Sequence, residues 1–242
     1  MELNILHLFP ELMSLYGEYA NLAVLRRRLE KLGVTVNIIS ADCEKSPDFA
    51  TADLIYMGAG TERSQKAALS KLLPHSDEIK AAAERGAVVL FTGNAMPMLG
   101  KTIIDASRKR FDALALADFT TQESDKRIGE DVIAVPTLWE ETTVGFMNKC
   151  SVIKGVTTPL FSSLPLGFGN EQTGGAEGYV SGNVIATHIT GPVLAKNPAF
   201  TDLVIGRLFA AKGWTLPDVL TRLPHEQEAY EVTLRELQAR VK

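Results

Sequence analysis

The sequence is poor in the residues that ligate metals and form crosslinks. Its two cysteines, Cys43 and Cys150, stand far apart in 242 residues without the paired spacing of a metal site, and they read as free thiols of a reducing compartment. Four scattered histidines, His7, His75, His188 and His225, form no ligand pair. No apolar run approaches the ~20 residues that span a bilayer. The opening MELNILHLFPELM carries Glu2 in place of a basic region and breaks at Pro10, which is not a secretory pattern. Clustered positive charge is missing as well. The 25 Lys and Arg against 29 Asp and Glu give a net charge of −4, and the basic run Arg26-Arg27-Arg28 lies inside a helical pattern. These absences exclude nucleic acid and membrane insertion as expected partners, leave metal and cofactor unassigned to any residues, and point to the cytoplasm.

With 45% hydrophobic and 22% charged residues, the chain has the composition of one extended α/β domain. Asn4 to Leu8 reads as a buried strand. Leu22, Leu25, Leu29 and Leu32 then recur at helical spacing up to Gly33, and Val34 to Ser40 returns to strand. Asp53 to Met57 is a third strand running into Gly58-Ala59-Gly60. Ser64 to Leu73 and Ser76 to Arg85 read as helices, the second capped by Gly86, before a fourth strand, Val88 to Phe91. Such alternation predicts a doubly wound, mostly parallel sheet. Beyond Gly100 the segments Asp131 to Val135, Thr143 to Phe146 and Ser151 to Ile153 are short and β-branched, which predicts antiparallel strands added at the sheet edge. The glycine-rich stretch 167–182 reads as a loop, Asn183 to His188 as a strand and Phe200 to Ala211 as a helix. A charged helical tail follows Pro217, with Leu220, Leu223, Leu234 and Leu237 as its apolar positions.

The stretch 86-GAVVLFTGNAMPMLG-100 delivers a residue from a strand to a sharp turn, as a nucleophile elbow does, yet its turn offers only Thr92, Gly93 and Asn94. Together with 6-LHLFPELMSLYGEYANLAVLRRR-28, 57-MGAGTERSQ-65 and 182-GNVIATHITGPVLAKNP-198, it resembles the GatD-type amidotransferase subunits of lipid II isoglutaminyl synthase, within the CobB/CobQ-like class I glutamine amidotransferases. The resemblance runs from about residue 3 to 212. It implies a flavodoxin-like α/β domain over 1–212 with an antiparallel extension, and it leaves 213–242 as a C-terminal helical tail. It also implies glutamine hydrolysis by an elbow cysteine and a histidine before a Gly-Pro, with backbone amides of the glycine turn holding the oxyanion. The ammonia passes to a Mur-ligase-like (MurT-like) partner for peptidoglycan precursor amidation. A thiol is needed there because the side-chain amide is a poor electrophile, and the histidine activates it.

This chain departs from the pattern at both catalytic positions. Gly93 stands where the cysteine belongs and Thr190 where the histidine belongs, and neither side chain does that chemistry. The glycine turn contains Ala59, and Asn94-Ala95-Met96-Pro97 replaces the usual residues behind the nucleophile. Arg127 matches an arginine of the family's cleft, where a guanidinium would hold a carboxylate; a surface arginine is the plainer reading. Gly58, Gly60 and Asn94 are the remaining candidates for holding glutamine or a similar small ligand. Gly167, Gly169, Asn170 and Gly178 match the family's glycine-rich loop, which turn chemistry explains equally well. Three functions stay open: a pseudo-amidotransferase retained as a ligase partner, an active enzyme with relocated groups such as Thr92 and His188, and a stand-alone binder of an amino-acid-like ligand. If the positions are assigned correctly, Gly93→Cys with Thr190→His restores a thiol–imidazole pair.

Overall fold

The computed structural model of the protein describes residues 1–42, 44, 47–218 and 222–241. Cys43 and Leu220 lie outside the described residues. Strand β1 (Glu2–Leu8) leads to helix α1 (Tyr19–Lys31), which Gly33 ends in a left-handed conformation before β2 (Thr35–Ala41). After β3 (Leu54–Met57) come α2 (Glu62–Leu72), capped by the Thr61 side chain on the Ser64 amide, and α3 (Ser76–Arg85), capped by Gly86 at φ 112°. Strand β4 (Val88–Thr92) is buried at every position.

The chain continues through β5 (Thr102–Ile104), β6 (Arg110–Asp112), β7 (Thr120–Pro136), β8 (Thr143–Lys154), β9 (Phe161–Leu166), β10 (Tyr179–Ser181) and β11 (Val184–Thr187). It closes with α4 (Val193–Lys196), α5 (Pro198–Lys212) and α6 (Glu226–Gln238). The main sheet has the order β10-β11-β4-β3-β1-β2, parallel except for β10, and β4 is central, as the sequence predicts. Alternate residues of its strands enter two cores. Leu6, Leu8, Met57 and Phe91 pack with Leu72, Ile79 and Ala82 of α2 and α3, whereas Leu3, Ile5, Leu54 and Leu90 pack with Leu25 of α1 and Val204 and Leu208 of α5. Helices thus cover both faces, the doubly wound arrangement.

The antiparallel part differs in detail from the expectation. Among the described residues β10 extends the edge of the main sheet, whereas β5 to β9 build a second sheet, β6-β5-β7-β8 with β9 on β7, in which β5 runs parallel to β7. Its main ladder, β7 with β8, shifts register between Glu123 and Ile128. Among the described residues of the tail, Glu226 to Gln238 is helical, and there Tyr230 and Leu237 cover Ile133 and Val144 of the second sheet. Among the described residues no helix is long and apolar enough to cross a membrane.

Candidate functional site

The carboxyl ends of β3, β4 and β11 converge where an open parallel sheet places its ligands, and Gly58, Gly60, Gly93, Asn94 and Thr190 lie at or just beyond them. Thr92 is still extended, Gly93 turns at φ +60°, and a buried 3-10 helix, Gly93–Leu99, follows with Pro97 inside it. This is the sharp strand-to-helix turn that an elbow requires, without a side chain at its apex. The space such a side chain needs is occupied: a Cβ built on Gly93 would lie 2.5 Å from the Ala59 Cβ.

The glycine turn is occupied as well. Asn94 clamps Gly60 from both sides, its Oδ1 accepting from the Gly60 amide at 2.8 Å and its Nδ2 donating to the Gly60 carbonyl at 2.8 Å. The Gly60 amide, a candidate oxyanion donor, therefore already has an acceptor, and Gln65 donates to the Asn94 carbonyl behind it. Residues 12–18 lie across the turn. Leu15 donates its amide to the Ala59 carbonyl, and a Cβ on Gly58 would lie 2.7 Å from the Glu18 Cβ and one on Gly60 2.5 Å from the Leu12 carbonyl oxygen. Only glycine tolerates that approach.

Glu18, which the sequence does not single out, is the centre of the site and is fully buried. Its Oε1 accepts from the Thr190 hydroxyl and from the Gly191 amide at 3.0 Å. Its Oε2 accepts from the Thr92 hydroxyl, from the Tyr56 hydroxyl at 2.9 Å and from Asn21 Nδ2 at 3.2 Å. Thr92, next to Gly93, and Thr190 thus meet on one carboxylate. Burial, with Glu18 beside it, pushes the Tyr56 phenol well above its ordinary pKa, so it stays a neutral donor. Asn21 is fixed in turn by the Leu194 amide, which donates to its Oδ1 at 2.7 Å.

His188 turns elsewhere. Its Nε2 lies 3.2 Å from Ser151 Oγ, and its Nδ1, 3.4 Å from Glu177 Oε1, makes no hydrogen bond among the described residues. Burial, and next the nearby Lys149 ammonium, lower its pKa to about 4, so the ring is neutral at pH 7. Glu177 spends its oxygens on the Thr187 hydroxyl and the His188 amide, at 2.6 and 2.8 Å. The order Ser151, His188, Glu177 has the outline of a hydrolytic relay, but the imidazole is not aligned by the carboxylate and Ser151 is buried. Thr92 and His188, the alternative catalytic pair, direct their polar atoms to different partners.

Arg127 is exposed, pairing with Glu62 Oε1 at 2.9 Å and donating to Asn148 Oδ1 at 3.0 Å. Burial opposes ionisation of Glu62, yet the Arg127 hydrogen bond holds its carboxyl below the usual value. The pair borders an open groove of about 740 Å³ that Lys66, Asp105 and Glu123 also line. Cys150 shares this border, and burial, followed by the charges of Glu62 and Glu123, pushes its thiol up to about 11. Gly167, Gly169 and Gly178 lie in the loop before β10, where Asn170 holds the Gly178 backbone at both its amide and its carbonyl.

Residues 4–198 match the CobB/CobQ-like glutamine amidotransferase domain. The lipid II isoglutaminyl synthase (glutamine-hydrolyzing) subunit GatD of Staphylococcus aureus is 28% identical over 215 residues, 88% of this chain and 86% of the relative. The subunit of the same name from Streptococcus pneumoniae is 28% identical over 202 residues, 81% of this chain and 76% of the relative. Among solved structures, a glutamine amidotransferase from Thermotoga maritima superposes with a TM-score of 0.52 at 11% identity over 99% of this chain and 97% of its own. A second glutamine amidotransferase structure gives 0.51 at 12% identity, over 84% of this chain and 98% of its own. At these identities the two structures speak to the fold alone.

Proposed function

Because the chain belongs to the CobB/CobQ-like glutamine amidotransferase family, we propose that it is a GatD-like subunit that has given up glutamine hydrolysis and acts in the cytoplasm as the non-catalytic partner of a Mur-ligase-like, MurT-like protein in lipid II amidation. Residues 1–212 carry the amidotransferase domain and 213–242 form an appended tail. One observation carries the reading: the space for a nucleophile's Cβ at Gly93 is filled by Ala59, and the gap between Thr92 and Thr190 is filled by Glu18. A fold outlives its chemistry when a surface is still used.

The covalent route to glutamine hydrolysis needs an activated nucleophile and a base in contact, and neither exists at the family's positions. Co-expression with a Mur-ligase-like protein tests the proposal. The expected result is co-purification of the two chains without ammonia release from glutamine, alone or together. Ammonia release at the rate of a working amidotransferase would refute inactivity, and failure of the chains to associate would refute the partnership.

A further inference from the structure

Glu18 is a carboxylate with the surroundings of a bound ligand. Every partner is a neutral donor, and the donors come from four separate parts of the chain: Asn21 on α1, Tyr56 on β3, Thr92 on β4, and Thr190 with Gly191 after β11. Both oxygens are shared between hydroxyl and amide donors, so the arrangement reads a carboxylate, acceptor at both ends, and not an amide, one end of which would face donors with its own N–H groups. A chain that needed only a packed core at this place would bury apolar groups more cheaply than three hydroxyls and a carboxylate.

A second observation concerns how Glu18 reaches the site. Tyr16 and Gly17 are consecutive left-handed residues, at φ 60° and 76°. For tyrosine that conformation is strained, and it persists only where surrounding contacts over-determine it. The short turn Leu15–Gly17 bends the chain so that Glu18 points inward, while Leu15 and Tyr16 are 40% and 44% exposed.

We propose that the donors around Glu18 form a recognition site for a small aliphatic carboxylate, and that the chain's own Glu18 occupies it in cis, delivered by the strained Tyr16-Gly17 turn. This goes beyond the ligase reading and does not depend on it, since the cage exists whether or not a partner binds.

The test empties the cage and refills it. Glu18→Ala removes the equivalent of acetate, so the variant's melting temperature is measured in increasing sodium acetate, with acetamide and sodium chloride at matched concentration as controls. The expected result is a lowered melting temperature that acetate raises along a saturating curve, while acetamide and chloride do not and the wild-type protein responds to none of them specifically. Thr190→Val in the Glu18→Ala background removes one donor and weakens the acetate response about tenfold, the loss expected for one hydrogen bond to a charged group. Equal response to acetate and chloride would overturn the proposal. If Glu18→Ala does not accumulate as folded protein, its refolding yield in acetate against chloride asks the same question, and equal yields overturn it as well. Co-purification with a ligase is a separate readout, so either reading can fail alone.

Discussion

The methyl of Ala59 stands where the first side-chain atom of residue 93 would be, 2.5 Å from a Cβ built on Gly93. The family's turn usually has glycine at the first of these positions and cysteine at the second, so the chain holds one methyl group in the other place. The two positions are therefore coupled. A cysteine at 93 with a histidine at 190 is not expected to suffice for catalysis, because the thiol's Cβ has no room until Ala59 is also glycine.

Gly93→Ala should cost about 2–5 kcal/mol, from the left-handed backbone and the overlap together. Combined with Ala59→Gly, part of that loss should return, a coupling of about 1–3 kcal/mol in a urea-unfolding double-mutant cycle. Additive effects would mean that the backbone moves apart and the pair is independent.

For catalysis, the triple variant Ala59→Gly, Gly93→Cys, Thr190→His is the smallest one expected to release any ammonia from glutamine, and only a trace. Asn94 still holds the Gly60 amide, and one missing oxyanion donor costs about 10²–10³ in rate. Activity in Gly93→Cys with Thr190→His alone, at the level of the triple variant, would contradict the steric argument.

Cys150 should be slow toward thiol reagents. At pH 8 a thiol with a pKa of about 11 is thiolate in roughly one molecule in a thousand, against about a quarter for a free cysteine. In a Cys43→Ser background, a disulfide-exchange reagent should label the remaining thiol on the order of a hundredfold more slowly than free cysteine, with the gap closing on denaturation. Labelling at the free rate would show an open, ionised thiol.

Acid should weaken the fold through two histidines. Burial lowers both His7 and His188 from 6.5 to about 4, so below pH 6.5 the unfolded chain binds protons that the folded chain refuses. Their stabilisation is complete above pH 6.5 and is lost as pH falls toward 4, at about 1.4 kcal/mol per pH unit for each histidine. His188→Gln should lower the slope of stability against pH between about 6.5 and 5, above the range in which carboxylates titrate; an unchanged slope there would exclude His188 as a source.

What the sequence discloses and what it hides divide along physical lines. Elements of the main sheet are bounded by glycines whose conformation no other residue adopts readily, Gly33 and Gly86 among them, and its central strands β3 and β4 are buried on both sides, so they stand out. Strand β7 does not. Its middle, Ser124 to Glu130, is charged and solvent-facing where the register shifts, and only Asp131 to Val135 reads as a strand. The sharp strand-to-helix turn at Gly93 is legible from 86–100. Glu18 is not, because a glutamate after Tyr-Gly reads as surface; the available signal is the set of hydroxyls, Tyr56 and Thr92 at the carboxyl ends of apolar strands and Thr190 just beyond β11. His188 and Thr190 are two residues apart and would share a face if the strand continued, but β11 ends at Thr187 and their side chains part.

The place of β11 in the main sheet also bears on how the chain is made. Val184 pairs with Val89 and Thr187 with Thr92, so one side of the central strand is completed by residues that leave the ribosome long after it. At about 5–20 residues per second, β4 waits roughly 5–20 s for that neighbour while the whole second sheet is being synthesised. During the interval Val88 to Phe91 is an apolar strand with an unpaired edge, the kind of surface to which other nascent chains adhere. A chain interrupted anywhere between β4 and β11 is thus expected to be a substrate for chaperones and proteases, and not a smaller folded protein.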